Sequence, residues 1–173
     1  MAKENITFKG NPVKLSGRMP EVGQKAPDFH ALNQNLNEVS LGDFRGKVKV
    51  ISVVLSVDTP VCHKQLVRFN EEAAKLGQDV AVLNISMDLP FAIARFIKEE
   101  SIERTVVLSD HRDASFGKTY GLLMDETRLL ARSVIIIDRD ETIRYFQIVQ
   151  EQTDEPDYGQ AMKELEKLLV RVV

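Results

Sequence analysis

Residues 48–76 read VKVISVVLSVDTPVCHKQLVRFNEEAAKL, and the hydrophobic period changes part-way along. Val48, Val50, Ile51, Val53, Val54 and Leu55 form a β-branched run too continuous to alternate between a wet and a dry face. Such a run predicts a strand covered on both sides, as in a parallel sheet. From Cys62 onward the period is helical: Cys62, Leu66, Phe69, Ala73 and Leu76 recur at spacings of three and four, and Gly77 is a stop signal. Thr59 suits the N-cap, because its hydroxyl can accept from a free N–H of the first turn. Pro60 suits the first helical position, where its missing donor goes unused. Cys62, the only cysteine, is then the third helical residue, with its sulfur in the positive field of the helix terminus.

The 173 residues, 43% of them hydrophobic, are enough to build one core, and a single domain over 1–173 is expected. A net charge of −3 with no concentrated basic block removes the electrostatic basis for nucleic acid or an anionic membrane as partner. The opening MAKENITFKGNPVKL is polar, without the apolar stretch of a leader. No apolar run approaches the roughly 18 residues of a membrane span. One cysteine cannot close an internal disulfide, which fits a reducing compartment, and a soluble cytoplasmic protein is expected.

Outward from the central stretch, residues 6–15 place Gly10, Asn11 and Pro12 between two short alternating runs, a hairpin expected at a sheet edge. Residues 16–25 read as a surface connection, and DFHAL and EVSL as short strands. DVAVLNISM at 79–87 is a further apolar run, so strand, helix and strand make a parallel unit. Pro90 opens a helix to about Glu100, TVVLSD at 105–110 reads as a strand, and 114–121 as a short helix. SVIII and TIRYFQIV flank the polar Asp138–Glu141 as a last hairpin, and Ala161, Leu165 and Leu168 mark the face of a closing helix from about Asp157. A parallel unit followed by a hairpin and a terminal helix is the thioredoxin-like order of elements: an α/β fold with a central mixed sheet flanked by helices. Sheets of this kind hold ligands at the carboxyl ends of their strands, where Cys62 lies.

A lone cysteine is more often a small buried hydrophobe than a nucleophile; position argues otherwise here, since thiolates are favoured at helix N-termini. Bringing a thiol from about 8.5 down to about 6 takes roughly 3.4 kcal/mol. A helix terminus supplies about 0.3–1 kcal/mol and seldom reaches about 2, so a cation must contribute. His63, Lys64 and Arg68 are near in sequence, but residues one or two positions from Cys62 point to other helix faces, and solvation is their expected state. Cys62 and Arg68 also match a C-x5-R phosphatase spacing, yet HKQLV has no glycine and fits a helix rather than a phosphate cradle. Of the histidines, His111 alone lies in a loop distant from the cysteine, and in SDHRD it reads as a turn residue.

Motifs spread along the chain carry a resemblance. DTPVC followed by RFNEEAAKLG, with GNPV at 10–13, MDLPFA at 87–92, LSDHRDASFG at 108–117, LLARS at 129–133 and EPDY at 155–158, resembles the thiol peroxidase subfamily of the peroxiredoxins over nearly the whole length. The resemblance implies that Cys62 is the peroxidatic cysteine, that Thr59 hydrogen-bonds peroxide and thiolate, and that Arg132 stabilises the thiolate. It implies hydrogen peroxide and organic hydroperoxides as substrates, thioredoxin or a small thiol as reductant, a homodimer, and no metal or organic cofactor. Two positions depart from the pattern. The subfamily usually has a proline seven residues before the peroxidatic cysteine, where this chain has Leu55; it usually has a resolving cysteine in a stretch like RFCGAEG, where this chain reads Arg95, Phe96, Ile97. A one-cysteine mechanism is therefore expected. The alternative is a redox sensor or chaperone that kept the fold and lost turnover.

Overall fold

The computed structural model describes residues 5–170. In chain order the elements are β1 (Thr7–Phe8), β2 (Asn11–Pro12), β3 (Leu15–Ser16), β4 (His30–Leu32), β5 (Glu38–Ser40), a 3-10 turn at Leu41–Phe44, β6 (Val48–Val53), α1 (Pro60–Ala73), β7 (Val80–Ser86), α2 (Pro90–Glu99), β8 (Val106–Ser109), α3 (Ser115–Tyr120), β9 (Leu123–Met124), β10 (Ser133–Ile137), β11 (Ile143–Ile148) and α4 (Tyr158–Val170). Seven strands form the main sheet in the order β11-β10-β6-β7-β8-β4-β5. β6, β7 and β8 run parallel, while β10 joins β6 antiparallel and β4 joins β8 antiparallel. This mixed sheet with helices on its faces is the thioredoxin-like fold that the order of elements implied. Among the described residues no helix is long and apolar enough to cross a membrane.

Every residue of β6 is buried, as a strand with a helix-covered layer on each side must be. Val48 and Val50 pack with Val82, Val134, Ile136, Phe69 of α1 and Ala161 and Leu165 of α4. Ile51 and Val53 face the larger cluster with Leu83, Ile85, Ile93 and Phe116. A truncation such as Ile51→Ala would cost about 2–5 kcal/mol through lost burial and the void left behind. The charged residue inside β6 is buried as well: Lys49 Nζ reaches Glu141 Oε1 at 2.6 Å, and Glu141 sits at φ +66° in the β10–β11 turn.

Several boundaries differ from the sequence expectation, each for a local reason. β6 stops at Val53; Val54 and Leu55 stay buried, with the Val54 N–H donating to the Ile85 carbonyl, but belong to the turn into α1. α1 ends at Ala73 rather than near Gly77, and Leu76 packs on the core from the turn that follows. The first hairpin turns at Lys9 (φ +51°) and Gly10 (φ +80°), so Asn11 and Pro12 lie in β2 opposite Phe8 and Thr7. It is a separate two-stranded sheet, not an edge of the main one. The stretch after it does not simply cross the surface: β3 pairs with β9, Met19 is buried, and the Gly23 N–H donates to the Ile143 carbonyl.

Candidate active site

Cys62 is positioned by the turn between β6 and α1. Asp88, in the turn after the neighbouring strand β7, accepts from Ser56 Oγ at 2.7 Å and from the Val57 N–H at 2.8 Å, and so anchors that turn to the sheet. Thr59 adopts extended backbone at the N-cap, and its Oγ1 accepts from the Cys62 N–H at 3.3 Å. The same hydroxyl donates to the Ser56 carbonyl. Pro60 occupies the first turn, and Cys62, the third helical residue, points inward with no exposed surface.

Arg132 arrives through sheet register. Ser133, the first residue of β10, pairs with Val53, the last of β6. An antiparallel neighbour therefore begins where β6 ends, and the residue just before it stands beside the Cys62 turn. Arg132 Nη2 lies 3.1 Å from Cys62 Sγ. Its Nη1 donates to Gln65 Oε1 at 3.0 Å and its Nε to the Gln152 carbonyl at 3.0 Å. The Gln152 side-chain oxygen accepts from the Arg132 N–H, while its Nε2 donates to the Val149 carbonyl at 2.7 Å. Gln65 is in turn held by Ser52 Oγ at 2.8 Å and the Val53 carbonyl.

The guanidinium is thus buried, and its partners are neutral oxygens and one sulfur. Among the described residues no carboxylate pairs with it. An ordinary strand-edge arginine would hold an acid. A buried cation without a counter-ion is unfavourable, and among the described residues the one side chain beside this guanidinium able to carry a negative charge is Cys62, whose sulfur is within hydrogen-bond reach.

Thr59, Cys62 and Arg132 are therefore brought together, and the other polar residues weighed from sequence are not. His63 is half-buried rather than fully solvated: its Nε2 lies 3.1 Å from Glu100 Oε2 and its ring meets Phe96 edge-on. Lys64 is exposed, and Arg68 pairs with Glu72 one turn along. Residues 63–67 are continuous helix, so the C-x5-R spacing forms no anion cradle. His111 is an exposed turn residue whose N–H donates to Ser109 Oγ, and His30 pairs with Asp113. Leu55 is buried in the apolar cluster that includes Cys62, and Ile97 packs half-buried against the same cluster. A cavity of about 270 Å³ adjoins the site, lined by Phe8, Leu55, Thr59, Pro60, Arg132 and Gln152 among others.

Gln65, Gln152 and Asp88 were not singled out from sequence. Gln65 had a signal, a polar residue on the buried stripe of α1 three positions after Cys62, where burial demands a hydrogen-bond partner. Gln152 and Asp88 had none, because their roles depend on contacts far apart in sequence.

A buried thiol at the first turn of a helix that follows the central strand of a mixed sheet, facing a buried arginine, defines a thioredoxin-like protein built around a reactive cysteine. The Redoxin family model matches residues 21–162, and the chain belongs to that family. A thiol peroxidase of Bacillus subtilis is 51% identical over 166 residues, covering 96% of this chain and 98% of that one. A thiol peroxidase of Halalkalibacterium halodurans is 50% identical over 159 residues, 92% of this chain and 95% of that one. Among solved structures, a peroxiredoxin-like protein from Aquifex aeolicus superposes with a TM-score of 0.89 at 38% identity, over 94% of this chain and 96% of that one.

Proposed function

We propose that this chain, a thiol-dependent peroxidase, works through Cys62 as the peroxidatic nucleophile, with Thr59 and Arg132 as its catalytic partners. The observation that carries the reading is the buried Arg132 guanidinium, 3.1 Å from the sulfur, with neutral groups as its other partners. The thiolate attacks the outer oxygen of a hydroperoxide, the S–O bond forms as the O–O bond breaks, and the departing oxygen takes a proton to leave as water or an alcohol. Charge moves from sulfur to oxygen along this path, and a fixed cation beside both atoms lowers the barrier. The Thr59 hydroxyl, which accepts from the Cys62 N–H, can donate to the peroxide once it turns from the Ser56 carbonyl.

The product is a sulfenic acid on Cys62. With Ile97 where a resolving cysteine would stand and no second cysteine in the chain, an outside thiol forms the mixed disulfide and releases water. A second thiol restores Cys62 and leaves as the disulfide of the reductant. Thioredoxin or a small thiol fills that role in this reading, with hydrogen peroxide and organic hydroperoxides as substrates. We further infer a single domain over 1–173, a cytoplasmic setting, supported by the unpaired thiol, and a homodimer, supported by the exposed Leu89 and Phe91 at the start of α2.

The test is turnover. With a thiol present the protein consumes peroxide in many-fold excess over subunits, and Cys62→Ser abolishes it. Without a thiol, excess peroxide carries Cys62 to the sulfinic state, read by intact mass as two added oxygens. Oxidation once per subunit, with no sustained consumption under any thiol, would instead support the sensor or chaperone reading that Leu55 and Ile97 favour. A disulfide-linked dimer as the main product would overturn the small-thiol scheme.

A further inference from the structure

Immediately before Gln152, Glu151 makes contacts that the peroxide chemistry does not use. Its carboxylate gathers the turn of the first hairpin: Oε1 accepts from the Gly10 N–H at 2.7 Å and Thr7 Oγ1 at 3.1 Å, and Oε2 from the Lys9 N–H at 3.3 Å. Thr153 adds its N–H and hydroxyl to Oε2, each at 2.8 Å. Backbone bonds run on either side, from the Thr7 N–H to the Gln150 carbonyl and from the Gln152 N–H to the Thr7 carbonyl, both 2.8 Å. These donors hold the Glu151 carboxyl down at about 2, the backbone N–H of Thr153 contributing most. The hairpin is a pair of two-residue strands, too small to hold its shape alone, and besides these bonds it rests on the core through Phe8 and Val13.

What the docked hairpin does is close one side of the cavity beside the thiol. Phe8, Lys9 and Thr153 line it together with Leu55, Pro60 and Val61, and Arg132, Gln152 and Thr59 supply polar groups. A lining that joins Phe8, Leu55, Pro60 and Val61 to a few polar groups suits a ligand with a hydrocarbon body and a polar reactive end. Hydrogen peroxide has no hydrocarbon body to fill a cavity of about 270 Å³.

We propose that Glu151 is a positioning residue that latches the first hairpin over the cavity, and that Phe8, held there, sets selectivity for hydroperoxides carrying an apolar organic group. The proposal rests on Cys62 being the peroxidatic cysteine, and adds the residues that choose among peroxides.

The test uses the full chain with dithiothreitol as reductant, comparing kcat/KM for cumene hydroperoxide and hydrogen peroxide. In Phe8→Ala the ratio of the two falls about tenfold, the loss lying in KM for cumene hydroperoxide, and Phe8→Leu recovers part of it. Glu151→Gln lowers the ratio in the same direction, because an amide places an NH2 among donors. The double variant is no worse than Phe8→Ala alone, since the latch acts through the ring, a coupling that general destabilisation would not give. A ratio unchanged in Phe8→Ala and Phe8→Leu, or a parent that consumes hydrogen peroxide but not cumene hydroperoxide, overturns the proposal. Fully additive losses overturn the latch. A parent that consumes neither peroxide overturns the peroxidase assignment itself.

Discussion

On one side of Cys62, Arg132 is wrapped by Gln65 and Gln152, all buried, the guanidinium donating to their neutral oxygens. On the other side, the same helix end is tied to α2 at the surface by the Asp58–Arg95 ion pair and the His63–Glu100 contact, whose side chains are 34–61% exposed. Each side borders a cavity, about 270 Å³ against Arg132 and about 360 Å³ against Arg95, Phe96 and Glu100. The buried side uses groups that hold an arginine in place without cancelling its charge, so the charge is left for the sulfur. The exposed side uses charges that water screens, which fasten weakly and reversibly. In the proposed mechanism the chemistry belongs to the first side.

The largest expected effect comes from removing the cation. Arg132→Ala should slow single-turnover oxidation of Cys62 by about 10²–10³, the usual loss when a preorganised donor is deleted from a reaction centre. Intact mass after rapid quenching reads the rate. A loss below about tenfold would mean that the helix terminus carries the thiolate and that the two sides do not differ as described. Gln65→Glu sharpens the point without removing anything: a carboxylate against Nη1 would compete with sulfur for the guanidinium, and about a tenfold slowing is expected, the worth of one hydrogen bond to a charged group.

How much of this was visible in the sequence also divides between local and distant causes. The β6–α1 stretch was legible because burial on both sides, a change of period and the Thr59–Pro60 cap are written within a few residues. So was Cys62 as the reactive candidate. Periodicity did not reveal where α1 stops, since Leu76 continues the stripe but packs from a turn after Ala73. Nor did it reveal the hairpin turn, where Gly10 with Asn11 and Pro12 looked like the turn and Lys9–Gly10 forms it. Arg132 could be paired with Cys62 only through resemblance, because the physical cause is the register between Ser133 and Val53, eighty residues apart in the chain. Gln152 is out of reach for the same reason.

Two carboxyls outside the pair of sides should answer pH in opposite senses. Asp110 follows β8: its N–H donates to the Ser86 carbonyl, and its carboxylate accepts from the Phe116 and Gly117 N–H groups of α3. Burial pushes the Asp110 carboxyl up to about 6, against the Phe116 and Gly117 N–H bonds that favour its charged form. An acid raised above its unfolded value of about 4 binds its proton more tightly when folded. Its contribution is present below about 4 and is lost as pH rises through about 6. Glu151, which holds the first hairpin, is depressed to about 2, so its contribution is present above about 4.5 and lost as pH falls toward 2. Urea unfolding across pH 3–7 should show Asp110→Asn flattening the decline between about 4 and 6, and Glu151→Gln flattening the decline below about 4.5. Reversed signs would contradict these electrostatic assignments.

The smallest expected effect tests whether the exposed ion pairs are as weak as their exposure implies. Arg95→Ala removes the pair with Asp58, and because both groups remain largely in water, each is re-solvated when its partner goes. The expected change in unfolding free energy is within about 1 kcal/mol, and 0.5 M salt should shrink the difference between parent and variant, since charges at the surface are screened over a few ångströms. Peroxide oxidation of Cys62 should be unaffected, because neither Arg132 nor its two glutamines touches Arg95. Reduction of the sulfenic acid by a bulky thiol should, if anything, quicken as the helix end loosens. Quenched-flow oxidation and chemical denaturation of the same variant separate these outcomes. A drop in oxidation rate comparable to that of Arg132→Ala would place the exposed side inside the reacting centre and remove the contrast between the two.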